Sequence, residues 1–336
     1  MKVDQKKIHN FTYRRNEYRL IFSIRILIKY FSMTYNNIAL KKGIIIAILV
    51  TVTFACKNEK RTKKLSGITI TKDSLKAALT FYSSFDNGVD ADFALGDAHM
   101  YTVPNRKAID SAKVGLHKPD ISIQQEKGKY GSGLVFTERS SGNIYYPSED
   151  NIAYKVKNWS GAISFWLNLD PEKDLKPGYC DPIQITDVSY NDAAIWVDFT
   201  KENPRDFRLG VIGDRNIWNP NPEGPDNENP IFNERLVGIK NPPFGTNQWT
   251  HILINFSDLN TANGKATFYL NGKQMGVRKN IDTPFTWELS KSNIYLGLGY
   301  IGIMDDLSIY NRSLSNTEIT ALYSLENGVQ SIMKTK

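Results

Sequence analysis

Between about residues 79 and 310, apolar side chains recur at every second position in a series of short runs. The runs lie at 79–85, 163–169, 195–199, 207–211, 252–256, 268–270 and 307–309. A period of two indicates strands with one buried face, and one more strand is predicted over 131–136. Asn-Gly pairs at 263–264 and 271–272 are strong signals for hairpin turns. The pattern therefore predicts an all-β fold of two packed antiparallel sheets.

A helical pattern is found near the C-terminus. Ser315 is followed three residues later by Glu318, which is the arrangement of a capping box. Leu314 and Ile319 flank this start at the spacing of a hydrophobic staple, and Gly328 is placed to end the element. We therefore expect one short C-terminal helix.

The segment 215–245 interrupts the strand pattern. It contains six prolines and several Asn and Asp residues, which predicts one long loop. Long ordered loops in compact domains often carry function. Residues 89–130 are also irregular and are expected to form loops and short strands.

The N-terminal region has the organisation of an export signal. Two lysines at 41–42 precede an apolar run over 43–55, which is shorter than the roughly 20 residues that span a bilayer. Cys56 follows directly, and this junction resembles a bacterial lipobox of the looser kind found in Bacteroidetes. We therefore expect Cys56 to be lipidated; an ordinary signal peptide cut near this residue is the alternative. A start at Met33 gives a signal of normal length.

These features predict four parts of the chain. They are a leader with a lipoprotein signal peptide over 1–55, a lipidated cysteine with a flexible tether over 56–72, a β domain over 73–330, and a tail over 331–336.

Charge is distributed unevenly along the chain. Residues 1–56 hold ten Lys and Arg against two Asp and Glu, and residues 57–64 hold five against one. The chain from Leu65 onward therefore carries a net charge of −5, although the whole chain carries +7. The basic charge belongs to the leader and tether, which argues against a nucleic-acid partner. A basic tether suits an anionic lipid surface, so we expect a membrane-anchored protein of the cell envelope, with the leaflet left open.

Two neighbouring predicted strands carry the main candidate binding residues. With their alternate apolar residues facing the core, Trp196 and Asp198 face outward. If the connecting turn is centred at Asn203, Asp198 lies opposite Arg208 and Trp196 opposite Gly210. An uncovered indole beside a carboxylate and a guanidinium suits a sugar ring. The alternative is that the long proline-rich loop covers this face and Trp196 packs beneath it.

Three further residues are secondary candidates for ligand binding. They are Trp218 on the proline-rich loop, and Tyr179 and Asp181 in a Gly-Tyr-Cys-Asp-Pro segment. Cys180 in that segment is expected to be a lone, partly buried thiol, and a disulfide with Cys56 is the alternative.

Several motifs together resemble those of laminin-G-like (LamG-like) domains. The longest, over 302–323, is Gly-Ile-Met-Asp-Asp-Leu-Ser-Ile-Tyr-Asn-Arg-Ser-Leu-Ser-x-x-Glu-Ile-x-x-Leu-Tyr. Shorter ones are Phe85-Asp-Asn-Gly, Gly131-Ser-Gly-Leu-Val-Phe, Gly161-Ala-Ile-Ser-Phe-Trp-Leu, Trp249-Thr-His-Ile and Phe268-Tyr-Leu-Asn-Gly. The resemblance, to the concanavalin A-like lectin/glucanase superfamily, spans about 75–328. It implies a two-sheet antiparallel jelly-roll sandwich and leaves the function open.

The resemblance also implies a calcium site. Many domains of this kind bind calcium near the ends of the first and last strands, and the matching positions here are Asp86, Asp305 and Asp306. Calcium takes six to eight oxygen ligands. The alternative is that the three carboxylates serve turns and a strand start through hydrogen bonds.

No catalytic motif is present in the sequence. Laminarinase-type enzymes of the resembled superfamily carry Glu-x-Asp-x-Glu, and no glutamate here begins such a run. We therefore assign no catalytic residue and expect a lipid-anchored carbohydrate-binding module for glycan recognition or utilisation, with calcium as the one expected cofactor. A protein-binding adhesion or scaffold module, and an unrecognised glycoside hydrolase or lyase, are the alternatives.

Overall fold

The computed structural model of the protein describes residues 71–140 and 143–333. All of them belong to one of the two compact units into which the chain divides. The predicted leader, the start at Met33, the lipidation of Cys56 and nearly all of the tether lie outside these residues. In the part of the chain that is described, no helix is long and apolar enough to cross a membrane.

Seventeen strands account for most of the regular structure in the described residues. In chain order they are β1 (Leu79–Ser83), β2 (Phe93–Ala94), β3 (Tyr101–Val103), β4 (Lys113–Val114), β5 (Ile121–Gln124), β6 (Gly133–Phe136), β7 (Asn143–Pro147), β8 (Trp159–Asn168), β9 (Cys180–Thr186), β10 (Ala194–Phe199), β11 (Phe207–Ile212), β12 (Leu236–Ile239), β13 (Trp249–Leu259), β14 (Lys265–Leu270), β15 (Lys273–Lys279), β16 (Asn293–Leu298) and β17 (Gly302–Tyr310).

The strands form two antiparallel sheets. The nine-stranded sheet has the order β15-β14-β13-β8-β17-β1-β2, with β6 also paired to β17 and β5 paired to β6. The eight-stranded sheet has the order β12-β11-β10-β9-β16-β7-β3-β4. The predicted two-sheet jelly-roll sandwich is therefore confirmed, and the Asn271-Gly272 turn joins β14 to β15 with positive φ at both residues, as a tight hairpin requires.

Alternate residues of each strand meet between the sheets. Phe165 and Ile254 point into this core from the nine-stranded sheet, and Ile183 and Val197 from the eight-stranded sheet, all 0% exposed. The remaining residues of these strands therefore face outward. What covers each outward face decides whether a site is open there.

Helical segments are short. They are α1 (71–78), α2 (Pro171–Asp174), α3 (Arg215–Trp218), α4 (Pro230–Asn233), α5 (Asn316–Tyr323) and α6 (Gln330–Met333), with 3₁₀ turns at Arg106–Ser111, Asp226–Glu228 and Leu289–Lys291. The prediction of one long loop over 215–245 is wrong, because α3, a 3₁₀ turn, α4 and β12 lie within it. Packing of its side chains on the sheet overrides the breaking effect of the prolines, two of which stand at helix-compatible positions.

The predicted C-terminal helix is confirmed as α5, and it closes one outer face. The reciprocal bonds of a capping box join Ser315 and Glu318. Leu314 and Ile319 are both buried in one cluster with side chains of the nine-stranded sheet. Gly328 does not end this helix, which stops at Tyr323, because the chain turns again before α6.

Candidate functional site

The hairpin of β10 and β11 carries the residues that the sequence singled out. Asp198 pairs with Arg208 and Trp196 with Gly210, so the register predicted from a turn centred at Asn203 is confirmed. A side chain on Gly210 would collide with the indole, because the ring lies directly over this position. Glycine is therefore required here by close approach.

Asp198 and Arg208 form a bidentate ion pair on the outer face. Nε of Arg208 donates to Oδ1 at 2.9 Å and Nη2 to Oδ2 at 2.5 Å. Only 12% of the arginine side chain and 5% of the aspartate side chain are exposed. The guanidinium also lies 4.9 Å from the ring centre of Tyr179 and 5.9 Å from that of Trp196. The cation is thus fixed on three sides by a carboxylate and two rings.

The loop that carries Tyr179 is held by a buried arginine. Arg205, 4% exposed, donates to the backbone oxygens of Lys176 at 2.7 Å and Gly178 at 2.8 Å. It also donates to the backbone oxygen of Thr200 at the end of β10. Arg205 therefore ties the loop that carries Tyr179 to the hairpin, together with the bond from the Gly178 amide to the Lys201 backbone oxygen.

Trp196 does not form an open platform. Of the two arrangements considered for this face, the covered one is observed, because only 1% of this residue is exposed. The covering segment, which we define as residues 215–236, stacks Phe232 on the indole, with the ring centres 6.3 Å and the ring planes 24° apart. Nε1 of Trp196 donates a hydrogen bond to the backbone oxygen of Tyr190 at 2.6 Å, so it is not available to a ligand. Trp196 therefore packs beneath the covering segment.

Trp218 belongs to the covering segment itself and points inward from it. It is 6% exposed, its ring centre is 5.6 Å from that of Phe232, and its Nε1 donates to the backbone oxygen of Asn191. The buried Asp226 accepts from Arg215 at 2.5 Å and from Asn219 at 2.6 Å within the segment, and it accepts from Asn191 outside the segment. Trp218 is thus a packing residue and stands outside the pocket described next.

A pocket of about 240 Å³ remains between the covering segment and the sheet. Five of the six predicted ligand-binding residues line it, together with four that the sequence did not single out. The lining residues are Tyr179, Asp181, Gln184, Tyr190, Trp196, Asp198, Arg208, Asn227 and Phe232. The cover that buries Trp196 therefore also supplies one wall of a cavity.

Gln184 has a buried polar atom in this pocket that lacks a partner among the described residues. Its residue is 3% exposed, its Nε2 donates to Asp181 at 2.6 Å, and its Oε1 is buried without a hydrogen-bond donor among the described residues. A buried acceptor without a donor costs free energy, on the order of 1–3 kcal/mol. A ligand that donates a hydroxyl or amide hydrogen would remove this cost.

The carboxyl group of Asp181, which accepts from Gln184, has a raised pKa. Burial of its carboxyl, followed by the charge of Asp198, raises the pKa of Asp181 to about 8. The nearby cations Arg106 and Arg208 act in the opposite direction. Asp181 is therefore protonated at neutral pH and can donate as well as accept a hydrogen bond.

Gln184 was missed although the sequence held a signal for it. It lies between Ile183 and Ile185, both 0% exposed in the core between the sheets, so the period of two turns it outward. Tyr190, Asn227 and Phe232 are different, because they come from connecting segments. Their place at the pocket follows from the path of those segments rather than from any periodicity.

A laminin-G-like family model, described as belonging to the concanavalin A-like lectin/glucanases superfamily, matches residues 140–320. The chain belongs to this family. No curated protein matches it. Because the fold hosts several unrelated functions, membership in the family does not by itself fix the ligand of this laminin-G-like domain.

Several solved structures are similar in fold. Domain 4 of the extracellular arabinanase AbnA from Geobacillus stearothermophilus, in complex with arabinotriose, is 19% identical with a TM-score of 0.45, over 72% of this chain and 97% of that one. The binding domain of botulinum neurotoxin serotype D is 14% identical with a TM-score of 0.49, over 75% of this chain and 52% of that one. The chain thus spans about half of the toxin fragment. At such identities, function has to be argued from this chain's own residues.

The three acidic residues suggested for calcium are all hydrogen-bonded. Asp86 accepts from the backbone amide of Ser132 at 2.7 Å. Asp305 accepts from the backbone amides of Tyr130 at 2.9 Å and Asp306 at 2.7 Å. Asp305 thus ties the loop before β6 to β17, and Asp86 ties the same loop to the turn after β1.

Asp306 has a similar role. It accepts from the hydroxyl of Tyr82 at 2.9 Å and from the backbone amide of Val329 at 3.1 Å. Among the described residues, no three His, Cys, Asp or Glu side chains are grouped so as to hold a metal ion. Calcium binding stays a prediction, which chelation tests directly.

Cys180 is a free thiol that is 0% exposed. It is fully buried rather than partly buried, because it faces the core at the start of β9. Burial raises the pKa of this thiol, so it stays protonated and unreactive at neutral pH.

Proposed function

We propose that this laminin-G-like domain binds a neutral carbohydrate in the pocket between the covering segment and the eight-stranded sheet. The observation that carries the proposal is the unpaired acceptor Oε1 of Gln184 in the wall of a largely aromatic cavity. Sugars present many hydroxyl donors beside apolar ring faces. The pocket offers the complementary surfaces for both.

The aromatic part of the pocket comes from three directions. Tyr179 stands on the loop held by Arg205, Tyr190 on the connection before β10, and Phe232 on the covering segment. Tyr179 and Tyr190 keep partly exposed edges. A sugar ring that enters between them can stack its apolar face on either tyrosine while its hydroxyls reach the floor.

The polar floor favours a neutral ligand. Asp198 is already neutralised by the two hydrogen bonds from Arg208, and the raised pKa of Asp181 leaves that carboxyl uncharged at neutral pH. A sugar carboxylate would lie beside two acidic residues without a free cation in the pocket lining. A hydroxyl group can donate to Gln184 and accept from protonated Asp181.

The same geometry supports binding rather than hydrolysis. A glycosidase needs one carboxyl group as an acid and a second as nucleophile or base. Asp198 has both oxygens engaged by one guanidinium, so it is not free to act as that second group. Anchoring through lipidated Cys56 and a location in the cell envelope complete the proposal and rest on the sequence alone.

A glycan array tests this proposal. The full chain is applied first with calcium and then with a chelator, and retention of neutral glycans is recorded. Tyr179→Ala should lower retention at least about tenfold, because it removes a stacking surface. The matched control is Tyr323→Ala, which removes a partly exposed tyrosine from the other outer face and should leave retention unchanged.

The two treatments also separate the outcomes. Loss of binding with the chelator would support a role for calcium, and unchanged binding would oppose one. A well-folded chain that retains no glycan would refute the carbohydrate proposal and favour a protein partner. Release of shorter sugars during the assay would instead favour the hydrolase alternative.

A further inference from the structure

A second pocket, of about 350 Å³, lies where the two sheets approach each other at one edge of the sandwich. Its walls come from the end of the covering segment with β12 and from β15, which are edge strands of different sheets. The charged residues that line it are Glu234, Arg235, Arg278 and Lys279, and the apolar ones include Ile231 and Val277. Three cations therefore face one carboxylate.

Two of these cations are held in place without an acidic partner. Arg235 lies 5.5 Å from the ring centre of Trp218, and its Nε is buried without a hydrogen-bond partner among the described residues. Arg278 donates through Nη1 to the backbone oxygen of Val211. Within the described residues, no ion pair joins Arg235, Arg278 or Lys279 to a carboxylate. The guanidinium groups are therefore fixed without forming an ion pair with any carboxylate of the described residues.

The two arginines also repel each other. Burial, with the charge of Arg235 second, lowers the pKa of Arg278 to about 10. Asp282 acts in the opposite direction on both arginines, and Glu234 acts so on Arg235. These two acids reduce the positive potential without forming an ion pair. An oxyanion between the guanidinium groups would relieve the repulsion and give Arg235 Nε an acceptor.

We propose that this second pocket binds the carboxylate or sulfate groups of an acidic polysaccharide. Arginine is suited to such groups because its planar fork donates two parallel hydrogen bonds. Ile231 and Val277 are 51% and 36% exposed at the pocket, where they offer apolar contact to a sugar ring. The choice of a polysaccharide rests on the proposed function, since the covering segment lines both pockets.

A simpler explanation is edge protection. Lysine and arginine on edge strands hinder pairing with other chains, and β12 and β15 are both edge strands. That explanation accounts for exposed Lys273 and Lys279 on β15. It does not account for an arginine packed on Trp218 with a buried, unpaired Nε.

The test compares polymers that differ in charge. Binding of the full chain to polygalacturonate, chondroitin sulfate and neutral dextran is measured at low and at high salt. Arg235→Gln and Lys279→Gln should each weaken binding to the two acidic polymers about tenfold, the equivalent of one charge-assisted contact. The matched control is Lys273→Gln, which removes the same charge from the same strand outside the pocket and should have no effect.

The result separates this inference from the proposed function. If the arginine and lysine variants lose acidic polymers while Tyr179→Ala retains them, the second pocket is supported independently of the first. If only Tyr179→Ala loses them, the second pocket is refuted, and the first pocket takes acidic sugars rather than the neutral ones proposed for it. Unchanged polymer binding with self-association of the variants would also refute it, in favour of edge protection.

Discussion

Trp166 and Trp196 lie on the two opposite outer faces of the sandwich. Each faces away from the core, and they are 5% and 1% exposed. Trp166 is covered by the C-terminal helix, with Tyr323 stacked at 5.8 Å and His251 at 4.9 Å. Trp196 is covered by Phe232 of the covering segment. The alternation of side chains along each strand therefore turns both tryptophans outward, and a different segment of the chain buries each of them.

The helix-covered face uses its polar groups for packing. Nε2 of His251 lies 2.8 Å from the hydroxyl of Ser164, and burial lowers the pKa of His251 to about 3, so the ring is neutral. Asn255 binds both the backbone oxygen and the backbone amide of Leu314, which fixes the entry to the helix. These bonds fix the face, and Nδ1 of His251 is buried there without a hydrogen-bond partner among the described residues, so the cavity rather than an unpaired atom distinguishes the two faces.

The segment-covered face is different because a gap remains between the covering segment and the sheet beside Trp196. Gln184, Asp181 and the ion pair of Asp198 with Arg208 line a cavity there, and the Gln184 acceptor lacks a donor. A regular amphipathic helix can seal a sheet face with one apolar stripe. A segment built from short turns follows the sheet less closely, and the gap it leaves is the candidate site.

The largest expected effect is that of truncating either tryptophan. Trp166→Ala and Trp196→Ala should each lower the free energy of unfolding by about 3–5 kcal/mol, because each leaves a large cavity. Chemical denaturation measures this loss. Sugar binding, measured under conditions where both variants are folded, should be lost in Trp196→Ala and kept in Trp166→Ala. Equal binding by the two variants would remove the functional distinction between the faces.

The second prediction concerns the buried ion pair. Asp198→Ala should destabilise the domain by about 3 kcal/mol, because it leaves the guanidinium of Arg208 without its counter-charge. The double variant Asp198→Leu/Arg208→Met should recover most of this stability, since apolar groups of similar size replace both charges. Chemical denaturation of the original chain, the single variant and the double variant measures both changes in stability. A double variant no more stable than the single one would show that the pair itself is favourable.

The third prediction uses the pH dependence of Asp181. Its pKa is raised from 3.8 to about 8 in the folded state, so its contribution to stability is present below about pH 4 and is lost as the pH rises to about 8. Asp181→Asn should therefore stabilise the domain by about 1–2 kcal/mol at pH 8 and change little at pH 4. Thermal unfolding across this range measures it. A variant curve parallel to that of the original chain would contradict the raised pKa.

The smallest effect is expected on the helix-covered face. Arg312, the Ser315 amide and Ser74 hold the pKa of Glu318 at about 2, below its ordinary 4.5. The resulting stability is present above pH 4.5 and is lost as the pH falls through about 2. Glu318→Gln keeps a capping residue and removes the ion pair, so it should cost about 1 kcal/mol at pH 7. Sugar binding should not change, and a change would link the two faces.

Much of the fold was predictable because its signals are local. The alternation around Val197 and Leu209 placed two strands, and the short turn between them fixed Asp198 opposite Arg208. The capping box at Ser315 located the C-terminal helix. Each of these signals lies within a few residues of what it predicts.

The exposure of the site was not predictable in this way. Trp196 is buried by Phe232, a residue well separated from it in sequence, and the path of the covering segment depends on buried Asp226 and its partners. Such long-range contacts leave no periodic trace in a single sequence. Gln184 is an intermediate case. Its outward direction follows from the alternation along the strand, whereas the lack of a hydrogen-bond donor for its Oε1 cannot be predicted from the sequence.

The most direct test of the binding account is a crystal structure of the chain with the best neutral sugar from the array. The account predicts a sugar ring against Tyr179 or Tyr190, with one hydroxyl within about 3 Å of Gln184 Oε1. Gln184→Leu, which removes that acceptor, should then leave the same pocket without sugar. A sugar bound elsewhere on the sandwich, or in the pocket without reaching Gln184, would contradict the account.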